Sequence, residues 1–112
     1  MPRTILSLAI FVFFIALMFF ACPIQLRAQN DGAKIFKSNC TLCHGLDGSG
    51  TTPTGKVLKA KDLSSKEVQD KSDAALSDLI SKGQGKMPAF GAKFGPDTIK
   101  SLVTYIRQLQ RQ

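Results

Sequence analysis

The stretch that decides the reading is Cys40-Thr41-Leu42-Cys43-His44, two cysteines three residues apart with a histidine immediately behind the second. That spacing has a chemical reason. Two thiols so placed add across the two vinyl groups of a haem, and the adjacent histidine then lies under the iron. Cys40 and Cys43 are therefore the expected thioether residues and His44 the expected axial ligand, with one haem c as the cofactor. A zinc cage needs four ligands, and no second Cys or His group follows. A dithiol redox centre would need alternating strands and helices around the pair, a pattern this chain does not have.

Outward from the motif the pattern is helical. Asp31 is a good N-cap for a short helix through Ala33, Ile35 and Phe36 into the cysteines. Residues 45–55 carry four glycines and Pro53, and read as loop. Ser64 and Glu67 form a candidate capping box over one turn. Ser72 is placed to cap a helix whose Ala75, Leu76, Leu79 and Ile80 recur at helical spacing until Gly83 stops it. A glycine-rich loop over 83–95 holds Met87, and Pro96 opens a last helix with an apolar stripe of Ile99, Leu102, Val103, Ile106 and Leu109, Tyr105 at its edge. No β alternation of useful length occurs, so the expected fold is all-α, three to four short helices around one covalently bound haem.

The N-terminus reads as an address. Arg3 precedes Ile5 through Ala21, seventeen residues with Ser7 as the single polar member. Three outcomes stay open: a signal peptide over residues 1–28 cut after Ala28, an uncleaved membrane tether through residues 5–21, or acylation of Cys22. All three deliver residues 29–112 outside the cytoplasm, periplasmic or otherwise extracytoplasmic.

Cleavage would leave 84 of the 112 residues, small for a self-sufficient hydrophobic core. A disulfide between Cys40 and Cys43 would close too short a loop to help much, whereas a large apolar cofactor held by them would complete the core. Of 15 basic residues Arg3 and Arg27 leave with the leader, so 13 remain against 8 acidic, a net charge of +5 that two haem propionates would lower to +3. Such a surface favours redox-partner proteins with acidic docking faces, or an anionic membrane face. Nucleic acid is excluded as a partner because the lysines are spread from Lys34 to Lys100, with no set of base-stacking aromatics among them. A monomer is expected.

The second axial ligand follows from elimination. His44 is the only histidine, and Met1 and Met18 belong to the leader, which leaves Met87. Pro88 stiffens the chain behind it and the neighbouring glycines let the backbone wrap a haem face. A thioether opposite an imidazole fills both axial positions, which suits outer-sphere electron transfer and leaves no place for substrate. Without the haem motif, a methionine near Phe90 and Phe94 would read as core filler.

Gly32 and Phe36, Cys40 to His44, Met87-Pro88-Ala89-Phe90, and Leu102 with Tyr105 stand in the order found in the class I c-type cytochromes, and over residues 31–110 the chain resembles the small bacterial and photosynthetic members of that family. The resemblance implies a monohaem one-electron carrier outside the cytoplasm rather than an enzyme, with an electron-transfer subunit of a larger membrane dehydrogenase or oxidase complex as the alternative. It also implies that the first and last helices of the domain cross beside the haem, with Gly32 at the close approach and Phe36, Leu102 and Tyr105 packed across it. Members of the family place a proline carbonyl on the second nitrogen of the axial histidine. Pro53 is the candidate for that role, or a plain loop proline. Lys34, Lys37, Lys56, Lys59, Lys61, Lys86 and Lys93 could ring the exposed haem edge or serve simply as solvated charge.

Overall fold

The apolar stripe of the C-terminal segment forms as expected. In the computed structural model Pro96–Leu109 is one helix, and Ile99, Leu102, Val103, Ile106 and Leu109 are all buried along one face. Pro96 occupies its first turn, where a missing N–H costs nothing. The structure describes the backbone of residues 2–20 and 23–110 and the side chains of residues 5–16 and 31–110; the expected acylation site, Cys22, lies outside them.

Seven helices are present among the described residues: α1 (Pro2–Phe20), α2 (Pro23–Asn39), α3 (Thr41–His44), α4 (Pro53–Leu58), α5 (Lys66–Gln69), α6 (Asp73–Lys82) and α7 (Pro96–Leu109). The expectation of three to four helices did not separate α3 from the helix before it and missed α4, while α5 lies where one turn was expected; all three are short pieces of four to six residues. The all-α class holds, with a single isolated bridge among the described residues, between Gln84 and Met87.

Two helix starts differ from expectation. Asp31 does not cap α2, which runs back to Pro23; the Gln, Leu, Arg and Ala residues between them are good helix formers and offer no break. The helix therefore continues through the expected cleavage point after Ala28. Pro53 does not keep its segment a loop: it sits at the first turn of α4, where its fixed φ is already helical, and Thr52 is the N-cap with its hydroxyl accepting from the Gly55 N–H at 2.8 Å. Further on, Ser72 caps α6 as expected, accepting from Ala75 N–H, and Gly83 ends it at φ 74°. The Ser64–Glu67 capping box does not form. Ser65 is the N-cap of α5, while Ser64 turns back to Asp62 Oδ1 through both its N–H and its hydroxyl.

The core is the crossing of α2 and α7, supported by α6. Phe36 is 1% exposed and Leu102 2%, the two most deeply buried large side chains. Burial of each contributes roughly 1.5–3 kcal/mol. Gly32 faces Ser101, and a β-carbon there would overlap the Ser101 carbonyl and press on Tyr105 Cβ. The absence of a side chain thus sets how closely the two helices approach. Beside this contact the Phe36 and Tyr105 rings pack tilted, centroids 5.1 Å apart. On α6, Leu76 and Ile80 are buried and Leu79 packs partly, whereas Ala75, expected inward, is exposed.

Arg107 of α7 ties the middle of the chain to this frame. Its guanidinium donates to Asp73 Oδ1 at 2.8 and 3.0 Å, to the Gln69 carbonyl at 2.7 Å and to the Lys71 carbonyl. The Gln69 side chain in turn donates to the Leu63 and Ile106 carbonyls. Leu63 and Val68 are thereby held in the core although Leu63 lies in a turn and α5, which carries Val68, is one turn long.

Candidate functional site

Cys40, Cys43 and His44 are brought together by one turn of helix. The Cys40 N–H donates to Phe36 O at 2.9 Å and the His44 N–H to Cys40 O at 2.9 Å, so α3 continues from the end of α2 with a small bend at Cys40. Gly45, at φ 77°, stops it. Phe36, fixed in the core, therefore sets the position of the whole motif. Both cysteines are unpaired thiols and half-buried. Burial, and then the neighbouring Cys43 charge, push the Cys40 thiol up to about 11, with Lys93 pulling the other way.

The His44 ring is oriented by a backbone carbonyl. Its Nδ1 lies 3.0 Å from the Lys61 oxygen. A carbonyl can only accept, so Nδ1 carries the proton, and the neutral ring leaves the Nε2 lone pair for a metal. Burial holds the imidazole pKa below its ordinary value, with the Lys61 bond opposing in part, which keeps the ring neutral and ready to ligate. The Pro53 carbonyl is not the partner. Pro53 is committed to the first turn of α4, and Lys61 in the following segment takes the role.

Three groups missed in the sequence surround this turn. Thr52 Oγ1 reaches back to the Leu42 and Cys43 carbonyls at 2.8 and 3.1 Å while capping α4, which clamps α3 to α4. Gly55 is buried against the Cys43 carbonyl, where any β-carbon would collide. The order Thr-Pro-x-Gly at 52–55 carries the signal of a proline-opened helix with a threonine cap and could have revealed the first. The third, the Lys61 carbonyl, has no such signal, because every residue offers the same acceptor.

Met87 comes from a separate segment. Gln84 and Met87 exchange backbone hydrogen bonds at 2.9 and 3.2 Å to close a tight turn, with Gly85 at φ 57° inside it. Beyond Pro88 the chain is pinned to the end of α6, Phe90 N–H to Ile80 O at 3.0 Å and Gly91 N–H to Ser81 O at 2.9 Å. The Met87 side chain is half-buried and packs against the same hydrophobic cluster as Cys40, with Ile35, Leu79, Phe90 and Phe94. Phe90 and Phe94 stack at 5.7 Å, and Lys93 Nζ reaches Asn39 Oδ1 at 2.6 Å next to Cys40.

These residues fit a haem. Two free thiols and an imidazole with its outer nitrogen available stand on one turn. Around them Ile35, Leu79, Met87, Phe90 and Phe94 are only partly covered, and Leu42 and Leu46, flanking the histidine, are 72% and 67% exposed. A macrocycle on Cys40 and Cys43 would have apolar surface to cover.

Comparison with known proteins agrees. Residues 27–106 match the family described as cytochrome c oxidase, cbb3-type, subunit III. The chain is 37% identical over 76 residues to cytochrome c6 of Microcystis aeruginosa, covering 68% of this chain and 90% of that one. It is 36% identical over 76 residues to cytochrome c6 of Gloeothece citriformis, covering 68% and 66%. It is also 34% identical over 96 residues to the cbb3-type cytochrome c oxidase subunit FixP of Azorhizobium caulinodans, covering 80% of this chain but 30% of that subunit. Among solved structures it resembles the KustC0563 c-type cytochrome with a TM-score of 0.65 and 32% identity, covering 70% of this chain and 96% of the other.

Proposed function

The chain belongs to the class I c-type cytochromes, and on that premise we propose that His44 and Met87 are the axial ligands of a haem c held through Cys40 and Cys43. The protein is a monohaem electron carrier, and the haem supplies a one-electron ferric/ferrous couple. The observation that carries the ligand assignment is the His44 ring, whose Nδ1–H is spent on the Lys61 carbonyl so that Nε2 alone is left for iron. That bond fixes ring rotation and raises the basicity of the ligating nitrogen. Met87, on a turn closed by its own backbone bonds and followed by a segment pinned to α6, would supply the second donor to the haem. With both positions filled, the haem would exchange electrons without binding a substrate.

Residues 1–28 serve as the export segment or as a tether. Ile5, Leu6, Leu8, Ile10, Phe11, Val12, Phe13, Phe14 and Ile15 are all exposed on α1, an apolar surface that water does not favour and a lipid phase does. Among the described residues, however, no helix is long and apolar enough to cross a membrane. The domain works outside the cytoplasm, with acidic redox proteins as partners. A second reading, a carrier subunit resident in a membrane oxidase, is favoured by the subunit III match and the FixP relative.

Two measurements test these assignments. Intact mass of the protein from its native compartment is expected to show the chain plus one covalent haem, and its mass also fixes where residues 1–28 end. Met87→Ala is expected to lose the methionine-ligated spectrum, lower the reduction potential and open the reduced iron to carbon monoxide. An unchanged spectrum and potential in that variant would rule Met87 out.

A further inference from the structure

The carbonyl that orients His44 lies in a short stretch tied down at both ends, with Asp62 behind it accepting from Ser64 and Ser65. On one side the Ala60 N–H donates to Gly55 O at 2.8 Å, and on the other the Leu63 N–H donates to Gly48 O at 2.8 Å. Between them Lys61 donates no backbone hydrogen bond among the described residues. Its side chain adds a tie: Lys61 Nζ reaches both carboxylate oxygens of Glu67, at 3.0 and 3.2 Å. Glu67 is a firm post. It stands on α5 next to Val68, 6% exposed, and to Gln69, whose side chain and carbonyl are bonded to Leu63, Ile106 and Arg107.

We infer that Glu67 is a positioning residue for the axial histidine: by holding the Lys61 side chain against α5 it fixes the Lys61 carbonyl that receives the His44 Nδ1–H. The chain of contacts runs Glu67 carboxylate, Lys61 ammonium, Lys61 carbonyl, His44 Nδ1, and ends one imidazole away from the iron position. The inference rests on His44 being the iron ligand. A firmly held acceptor makes the imidazole more electron-rich and favours the ferric state, so a loosened one raises the reduction potential. Because the ion pair is exposed on both sides, 65% and 62%, it adds little to global stability. Its effect is local to the ring.

Charge and position are separated by a pair of double variants of the holoprotein. Lys61→Met with Glu67→Gln removes the bridge and leaves the net charge unchanged. Lys61→Glu with Glu67→Lys rebuilds the bridge with its charges exchanged. The deciding readout is solvent exchange of the His44 Nδ1 proton in the reduced protein, followed by NMR. In the neutral pair exchange is expected to run several-fold faster, the reduction potential to rise and the thermal midpoint to stay in place; in the exchanged pair the proton is expected to slow again toward the wild-type rate. A wild-type exchange rate in the neutral pair overturns the inference. If instead the wild-type protein shows no covalent haem or no histidine-ligated spectrum, the ligand assignment itself is what has failed, and the two results are told apart by mass and visible spectrum before any variant is made.

Discussion

At the scale of single residues, what was legible was what depends on side-chain type. Thiols and an imidazole are rare groups with specific chemistry, and the structure places Cys40, Cys43 and His44 on one turn, while Met87 as the second ligand is a proposal. What depends on a backbone atom was not legible: the acceptor for His44 is the carbonyl of a lysine, and no residue preference marks it. Thr52 stands between these cases. Its single hydroxyl serves the Gly55 N–H and the Leu42 and Cys43 carbonyls, so it joins the haem-bearing turn to the helix behind it. Thr52→Val keeps the shape and removes all three contacts. Loss of a cap of this kind costs about 1–2 kcal/mol, and denaturant unfolding is expected to show it, with Thr52→Ser retaining most of the stability.

At the scale of elements, long periodic segments were readable and one-turn pieces were not. The stripe of α7 has five buried members at spacings of three and four, and its prediction needed nothing from the rest of the chain. Helices of four to six residues have no such periodicity and exist because their neighbours hold them, as Gln69 and Arg107 hold α5. The same contrast decides where substitutions hurt. Gly32→Ala puts a methyl into the Ser101 carbonyl at the α2–α7 crossing, where neither helix can move alone. Such overpacking costs about 1–3 kcal/mol, and the thermal midpoint is expected to fall accordingly.

Acid sensitivity belongs to this scale too. The hydrogen bond and charge of Lys61 hold Glu67 below its ordinary value of 4.5. A carboxylate with a depressed folded-state pKa stabilises the fold above its unfolded value, and that contribution is lost as pH falls through the folded one. Because the pair is exposed the contribution is small, and stability measured from pH 6 downward is expected to fall only slightly more below 4.5 in the wild type than in Glu67→Gln. Asp47, held low by the Ser49 N–H and hydroxyl, adds a loss of the same sign in both proteins.

At the scale of the whole molecule the charge balance bears on encounters with the proposed acidic partners. The formal charge of the chain is +7, and Lys34, Lys37, Lys56, Lys59 and Lys86 are all exposed. Some of the basic surface is already engaged within the chain, Lys61 by Glu67, Lys66 by Asp70, Lys82 by Asp78 and Lys93 by Asn39. The second-order rate of electron transfer with an acidic protein is expected to fall steeply as ionic strength rises, since the screening length shrinks to about 8 Å near physiological salt. A neutral small-molecule reagent should react at a rate nearly independent of salt. Equal salt dependence for both would remove steering from the account.

The crossing of α2 with α7 has a bearing on assembly as well. It joins Gly32 and Phe36 to Ser101 and Tyr105, partners at opposite ends of the domain. Contacts so far apart in sequence form only when nearly the whole chain is present. A polypeptide emerging from its N-terminus thus exposes both thiols of Cys40 and Cys43 well before the helix that completes their scaffold has been made. The topology builds in an interval during which the two thiols lie open, and it closes that interval with the fourteen-residue helix α7.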